Sequence, residues 1–253
     1  MKRKKPGKSK SLAERYAERA SGAGGRMGHQ GGAEAAGRAR AMGYPEGDLK
    51  AAPQGAVEMA LGCGNPTALA ELRAGDIVLD LGCGGGLDVF IAAGKVGPGG
   101  KVIGVDAAAE MVEKASSFAA AGGYTNVEFR VGRLDALPVD HASVDVILSN
   151  CVINHAANKV AVFREALRVL RPGGRLFVSD LVVEGQPGRS HEPGLEVWED
   201  WLKGAAGKRE YLDAMRQAGL GDVTILAEAE YEGPAMVPGL AGRIISLHLR
   251  ARK

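Results

Sequence analysis

From residue 76 onward, short apolar runs alternate with longer segments whose apolar positions recur three and four residues apart. The runs are DIVLDL (76–81), KVIGVD (101–106), NVEFRV (126–131), SVDVILS (143–149) and GRLFVSDLVV (174–183), all rich in β-branched residues, which predicts strands. Between them lie LDVFIAAGKV, AAEMVEKASSFAAAGG and KVAVFREALRVLRPGG, whose spacing predicts helices, the latter two closing on Gly. Strands alternating with helices imply parallel βαβ units and hence an α/β fold with a doubly wound, mostly parallel sheet. The pattern then changes. KREYLDAMRQAGL (208–220) predicts an amphipathic helix, and DVTILAEAEYE and GRIISLHLRARK follow as strand-like runs with no long helix between them. That ending predicts an antiparallel C-terminal strand pair at the sheet edge. Residues 184–207 fall outside the repeating unit and are expected to form a lid or acceptor insertion over the active face.

Composition changes this picture only at the N-terminus. Residues 1–33 are rich in Lys, Arg, Gly, Ser and Ala, with six cations in the first ten residues and too few apolar side chains for a core. They read as a basic flexible tail, with room for a short helix at 12–20, ahead of a single domain at 34–253. The tail is a solvated segment or a tether to nucleic acid or a membrane surface. The chain as a whole gives no reason to expect a nucleic-acid partner, since its net charge is only +2 and its charged fraction 25%. No apolar run approaches the roughly eighteen residues that cross a bilayer, and no apolar segment follows the basic start. A cytoplasmic location is expected. The three cysteines, Cys63, Cys83 and Cys151, are odd in number and widely spaced, which argues for reduced thiols and against a disulfide framework or a tetrahedral zinc site. No metal is expected, and nothing in the pattern specifies an oligomeric state.

The most informative stretch is VLDLGCGGGLD (78–88), which sets Gly82, Gly84 and Gly86 between the first strand and the first helix. Glycines there allow a tight turn and close approach of a ligand to the backbone, while the helix start offers amide donors. The second strand ends in Asp106, about twenty residues on, where an acid can accept both hydroxyls of a ribose. The alternative for Asp106 is a helix N-cap. The pair predicts a nucleoside cofactor.

The loop reads GxGxG, with Asp80 two residues before its first Gly, and in this form it resembles that of class I S-adenosylmethionine-dependent methyltransferases. VGRLDALP (131–138) and RVLRPGGRLFVSD (168–180) agree with that resemblance. GYPEGDL, LGCGNP, DLGCGGGLDVF, GVDAAAEMVEKA, GYTNVEFRVG and SNCVINHAANK narrow it to the arsenite methyltransferase family, over residues 40 to 183. The resemblance implies a Rossmann-like fold, S-adenosyl-L-methionine as cofactor, and thiol-bound trivalent arsenic as the small-molecule acceptor. It implies Asp80, Gly82, Cys83, Gly84, Gly86, Asp106, Ala107, Met111, Arg133, Leu134, Asp135 and Asn150 as cofactor-side residues, Cys83 by packing, and Cys63 and Cys151 as arsenic ligands. Arsenic(III) is soft and binds thiolates, and its lone pair can attack a sulfonium methyl group without a general base. The sequence departs from the family at two places. Trp201, in DWLKGA, stands where a third family cysteine precedes a Gly-Ala pair, and the family's N-terminal cysteine pair is absent. A Trp offers bulk and a π face in place of a ligand, and Trp198 lies one helical turn earlier. Two other readings therefore stand beside arsenic methylation: a methyltransferase for a small organic acceptor, and a non-catalytic cofactor- or metalloid-binding protein.

Other polar residues carry paired readings. His155 is a general base for an oxygen or carbon acid, or a solvated or capping side chain. Asn150 and Asn154 line the pocket or support turns. Asp88 receives the cofactor's amino group or caps the helix. Glu199 and Asp200 read as solvated, and His191 and His248 have no partners at metal-ligand spacing.

Overall fold

The structure, a computed structural model, describes residues 32–184, 205–231 and 244–253. The segment 1–31, with its expected tail and short helix, lies outside the described residues, as do 185–204, with His191, Trp198, Glu199, Asp200 and Trp201.

One seven-stranded sheet runs in the order β3-β2-β1-β4-β5-β7-β6. Its strands are β1 (Ile77–Leu81), β2 (Lys101–Asp106), β3 (Val127–Val131), β4 (Val144–Asn150), β5 (Leu170–Val183), β6 (Gly221–Glu230) and β7 (Ile244–Arg252). β1 through β5 pair in parallel, while β7 runs antiparallel between β5 and β6, so the expected C-terminal pair closes one edge. From β1 the chain steps outward to β2 and β3 and then returns to start β4 on the other side of β1. The loops leaving β1 and β4 therefore diverge from neighbouring strand ends, which opens a crevice at the sheet's C-terminal edge.

The helices are α1 (Gly32–Ala41), α2 (Glu46–Ala51), α3 (Gln54–Glu58), α4 (Pro66–Leu69), α5 (Leu87–Val96), α6 (Ala109–Gly122), α7 (Lys159–Val169) and α8 (Lys208–Gln217). Alternate residues of each central strand face opposite layers. Val78, Val102, Val146 and Leu148 pack on Val89, Ala92 and Val96 of α5. Leu79, Leu81, Ile103 and Ile147 pack on Phe163 of α7 and on Tyr211 and Met215 of α8. The expected helix at 159–174 ends earlier, at Val169, and β5 begins at Leu170. Arg171 precedes Pro172, whose ring disfavours helical backbone at the preceding residue and cannot donate an amide hydrogen bond.

Residues 32–69, for which the pattern predicted no elements, form the four short helices α1–α4. Pro45 and Pro53 stand at the N-caps of α2 and α3, and Asn65 caps α4 by accepting from the Ala68 amide. Tyr44, Leu49, Ala56 and Val57 from this segment bury against Leu87, Phe90 and Ile91 of α5. The packing lays LGCGNP across the C-terminal edge of the sheet. Among the described residues, no helix is long and apolar enough to cross a membrane.

Candidate active site

A cavity of about 390 Å³ opens above the C-terminal ends of β1, β2 and β4. Gly82, Gly84 and Gly86 all have left-handed backbone, with φ of 69°, 51° and 88°. Any Cβ would be strained there, which is why this turn needs glycine. The amides of Gly82 and Cys83 donate to the Val105 carbonyl and tie the loop to β2. Asp106 then bridges both sides of the cavity floor, accepting from the Gly84 amide at 2.9 Å and from the Ala108 amide at 2.9 Å. The N-cap of α6 is Ala108, so Asp106 is not the helix cap. Ala107, Met111, Arg133, Leu134 and Asp135 also line this cavity. Arg133 and Asp135 pair with each other at 2.7 Å on its exposed rim.

The inner wall is acidic. Asp80 is buried, and that burial, with Asp88 and Asp106 nearby, pushes its carboxyl well above the usual range. Asp88 was read as a cap or an amino-group partner, and the cap reading falls because Gly86 is the N-cap of α5. Instead its Oδ1 accepts from the Tyr44 hydroxyl at 2.7 Å, and burial pushes its carboxyl up to about 6. Clustered buried carboxylates favour a ligand that brings positive charge.

At the other end of the crevice lie the thiols. Cys151 follows the last residue of β4 with a φ of 57°, a left-handed conformation that is strained for a residue with a Cβ. Its amide donates to the Ser179 carbonyl at 2.7 Å, which holds the turn. Cys63 descends from the α3–α4 loop, and the sulfurs of Cys63 and Cys151 and a carboxylate oxygen of Asp180 all lie within 4.8 Å of one another. The fold thus brings together two cysteines that lie far apart in the sequence, without a disulfide between them. Burial, then Cys151, pushes the Cys63 thiol well above its ordinary range. Leu181, Val183, Ile244 and Tyr231 surround the pair with apolar surface. Cys83 is set apart: it is buried below the glycine loop with its sulfur beside Gly104 of β2, and it lines the cavity.

Asp180 is the best-anchored member of the cluster. It accepts from the Leu181 amide at 2.9 Å, the Tyr211 hydroxyl at 3.0 Å and the Asn154 amide at 3.2 Å, and burial pushes it up to about 6. Asn154, left between pocket and turn, is a buried turn support whose side chain also receives the Ala206 amide. Asn150 does line the cavity. His155 is half-buried on the cavity wall instead of solvated, and burial with Lys159 nearby lowers its pKa. His248 bonds the Ser179 hydroxyl through Nδ1 at 2.8 Å.

Against known proteins, a protein-family model described as a methyltransferase domain matches residues 72–219. The chain belongs to that family. This methyltransferase is 50% identical over 149 residues to the arsenite methyltransferase of Halobacterium salinarum, covering 59% of this chain and 38% of that protein. It is 35% identical over 174 residues to the arsenite methyltransferase of Aquipseudomonas alcaligenes, covering 66% of this chain and 50% of that one. The chain thus spans half or less of the length of these two curated relatives. Among solved structures it resembles an arsenic(III) S-adenosylmethionine methyltransferase from Chlamydomonas reinhardtii, with 31% identity, a TM-score of 0.67, and coverage of 86% of this chain and 73% of that one.

Sequence reasoning did not nominate Tyr44, Asp180, Tyr211 or Tyr231 as site residues in this methyltransferase. Tyr44 stands inside the quoted GYPEGDL and Asp180 at the end of GRLFVSD, so the motifs contained them without marking their role. Tyr231 left no local signal. Burial and the two sulfurs push its phenol up to about 12.

Proposed function

We propose that this chain transfers a methyl group from S-adenosyl-L-methionine to trivalent arsenic held by the Cys63 and Cys151 thiolates. The observation that carries the reading is the convergence of those two sulfurs beside the cavity that contains the glycine loop and Asp106. The names of the similar proteins support the same acceptor.

The cofactor fits the residues present. The left-handed Gly82–Gly86 turn admits a ligand against the backbone, Asp106 stands where ribose hydroxyls need an acceptor, and Asp80 and Asp88 face the cationic methionine end. Leu134 and Met111 supply apolar surface for the base. Bound there, the cofactor supplies an electrophilic methyl carbon on a sulfonium sulfur.

On the acceptor side, arsenite loses two hydroxyls to the two thiols. Each thiol proton leaves with a hydroxyl as water, so loading needs no net acid or base. With the cofactor bound, its methyl carbon would be the electrophile and the arsenic lone pair the nucleophile, so that no general base is required. Cys63 and Cys151 orient the lone pair, and Leu181, Val183, Ile244 and Tyr231 keep water from the path. Asp180 positions the cluster through Asn154 and Tyr211, since its acceptor positions are engaged by protein donors.

Purified protein incubated with the cofactor, glutathione and arsenite is expected to form methylarsenicals, resolved by chromatography with arsenic-specific detection. Cofactor binding without any methylarsenical would overturn the acceptor assignment. A small organic acceptor is favoured by one feature, Trp201 in place of a third thiol. Under that reading, the Cys63→Ser/Cys151→Ser double variant keeps its turnover. The three thiols, none bridged, suit a reducing compartment, and we place the protein in the cytoplasm.

A further inference from the structure

We infer that Asn150 is a positioning residue that couples occupancy of the cofactor cavity to the geometry of the thiol pair. The inference rests on the reading of the two sites above.

The Asn150 side chain lies between them. On the thiol side its Oδ1 accepts from the Cys63 amide at 3.0 Å, and its Nδ2 donates to the Gly64 carbonyl at 2.8 Å. On the cofactor side the same Nδ2 donates to the Tyr44 hydroxyl at 3.0 Å and reaches Asp88 Oδ2 at 3.3 Å. Every partner fits one orientation of the amide. Turning it over would set its NH2 against the Cys63 N–H and its oxygen against the Gly64 carbonyl and the Asp88 carboxylate. Asn150, Tyr44 and Asp88 all line the cavity that holds the glycine loop.

The Cys63 turn has little freedom to move independently. A Cβ at Gly62 would collide with the Asn150 side chain, and one at Gly64 would collide with His248 and crowd Ser179. The Ser246 hydroxyl donates to the Cys63 carbonyl at 3.0 Å. Cys63 is thus clamped through both backbone polar groups, by Asn150 on one side and β7 on the other.

The carboxamide is planar and rigid, so a change at its Nδ2 end displaces its Oδ1 end. A cation entering the acidic cavity favours the ionised form of Asp88, so the bonds that Asp88 accepts from Tyr44 and Asn150 become charge-assisted. Charge-assisted bonds are the stronger kind, and the amide that receives Cys63 is then held more firmly. A thiol pair already in place loses less freedom when it closes on arsenic. The coupling is positive, and linkage makes it reciprocal.

The test uses two probes that cannot turn over. S-adenosylhomocysteine has the cofactor's shape without its methyl group and sulfonium charge, but keeps the α-ammonium group, which is the cation that would meet Asp88. Phenylarsine oxide closes on a dithiol with release of one water, and its binding should vanish in Cys63→Ser. By calorimetry, saturating S-adenosylhomocysteine is expected to tighten phenylarsine oxide binding about tenfold, within the usual range of coupling between sites. Asn150→Ala should bind each probe more weakly on its own and show a factor near one, and Tyr44→Phe should fall between. A wild-type factor of one, or the full factor in Asn150→Ala, overturns the inference. If circular dichroism shows that Asn150→Ala does not fold, Tyr44→Phe and Gly62→Ala carry the test, and full coupling in both overturns it. Failure of the wild type to bind S-adenosylhomocysteine at all sinks the cofactor reading itself. Failure to bind only phenylarsine oxide sinks the acceptor reading.

Discussion

The two ends of the crevice are built from different materials. The cofactor end is backbone and charge: three left-handed glycines, amides bonded to Asp106, and the buried carboxylates of Asp80 and Asp88. The thiol end is soft and apolar: two sulfurs among Leu181, Val183, Ile244 and Tyr231, with one carboxylate bonded to protein donors. The first end suits a polar, cationic ligand of fixed shape. The second suits a soft atom that water would otherwise hydrolyse from its ligands. The contrast predicts that damage to one end spares intrinsic binding at the other, apart from the coupling that passes through Asn150.

The largest separation should come from Cys63→Ser or Cys151→Ser. Either is expected to lower arsenic methylation by about a hundredfold or more, as loss of positioning does, while S-adenosylhomocysteine affinity, measured by calorimetry, stays near wild type. A parallel loss of cofactor affinity would erase the distinction between the ends. Asp106→Ala probes the opposite end. Loss of charged hydrogen bonds to the ribose should weaken cofactor binding about thirtyfold, and phenylarsine oxide affinity without cofactor should not change.

Acidity sharpens the comparison, because each end holds a carboxylate that burial pushes up to about 6, Asp88 at one and Asp180 at the other. Both start from an ordinary value of 3.8, so between about pH 4 and 6 the folded chain binds more protons than the unfolded one. Unfolding free energy then falls as pH rises through that window, and the ligand-free protein should be more stable at pH 5 than at pH 7 by about 1 kcal/mol per group. Asp80 and Asp106, also pushed up by burial, add to this trend, His155 and His248, whose pKa values burial lowers, work against it within the window, and Glu128, held down to about 2 by Arg130 and Lys101, opposes it only below this range. Urea titrations at the two pH values test the sign, and greater stability at pH 7 would contradict it. The smallest effect is expected from Tyr231→Phe, about a threefold change in arsenic transfer with cofactor affinity untouched. The apolar ring remains and only a hydroxyl beside the sulfurs is lost.

How well each end was legible in the sequence follows from its construction. The cofactor end comes from two adjoining strands and the turns after them, so Gly82, Gly84, Gly86 and Asp106 carry a local signature. The thiol end gathers Cys63, Cys151, Asp180, Tyr211, Tyr231 and His248 from remote segments. Resemblance to a family nominated the two cysteines there, and spacing alone gave no sign that they meet. The caps also misled. Asp88 has the residue type of an N-cap, but the helix begins at Leu87, two residues earlier than a cap at Asp88 would need, and its carboxylate turns to Tyr44. The helix expected to reach residue 174 stops at Val169, because Pro172 disfavours helical backbone at Arg171 and the apolar periodicity does not register that break.

By itself, the sequence determined the alternation of strands and helices, the antiparallel finish, and the glycine turn with its acid. All of these depend on backbone preferences and periodic burial over a few residues. Tertiary structure alone decided that Cys63 meets Cys151. It also decided that Asn150 stands between the thiols and the cofactor cavity, and that Asp180 is engaged by Tyr211. The reason is the reversal of strand order between β1 and β4, which sets the two loops side by side, together with the packing of α1–α4 on α5, which lays the Cys63 turn over them. Neither the crossing of the chain over the sheet nor the seating of a short helical segment leaves a period or a motif for local spacing to reveal.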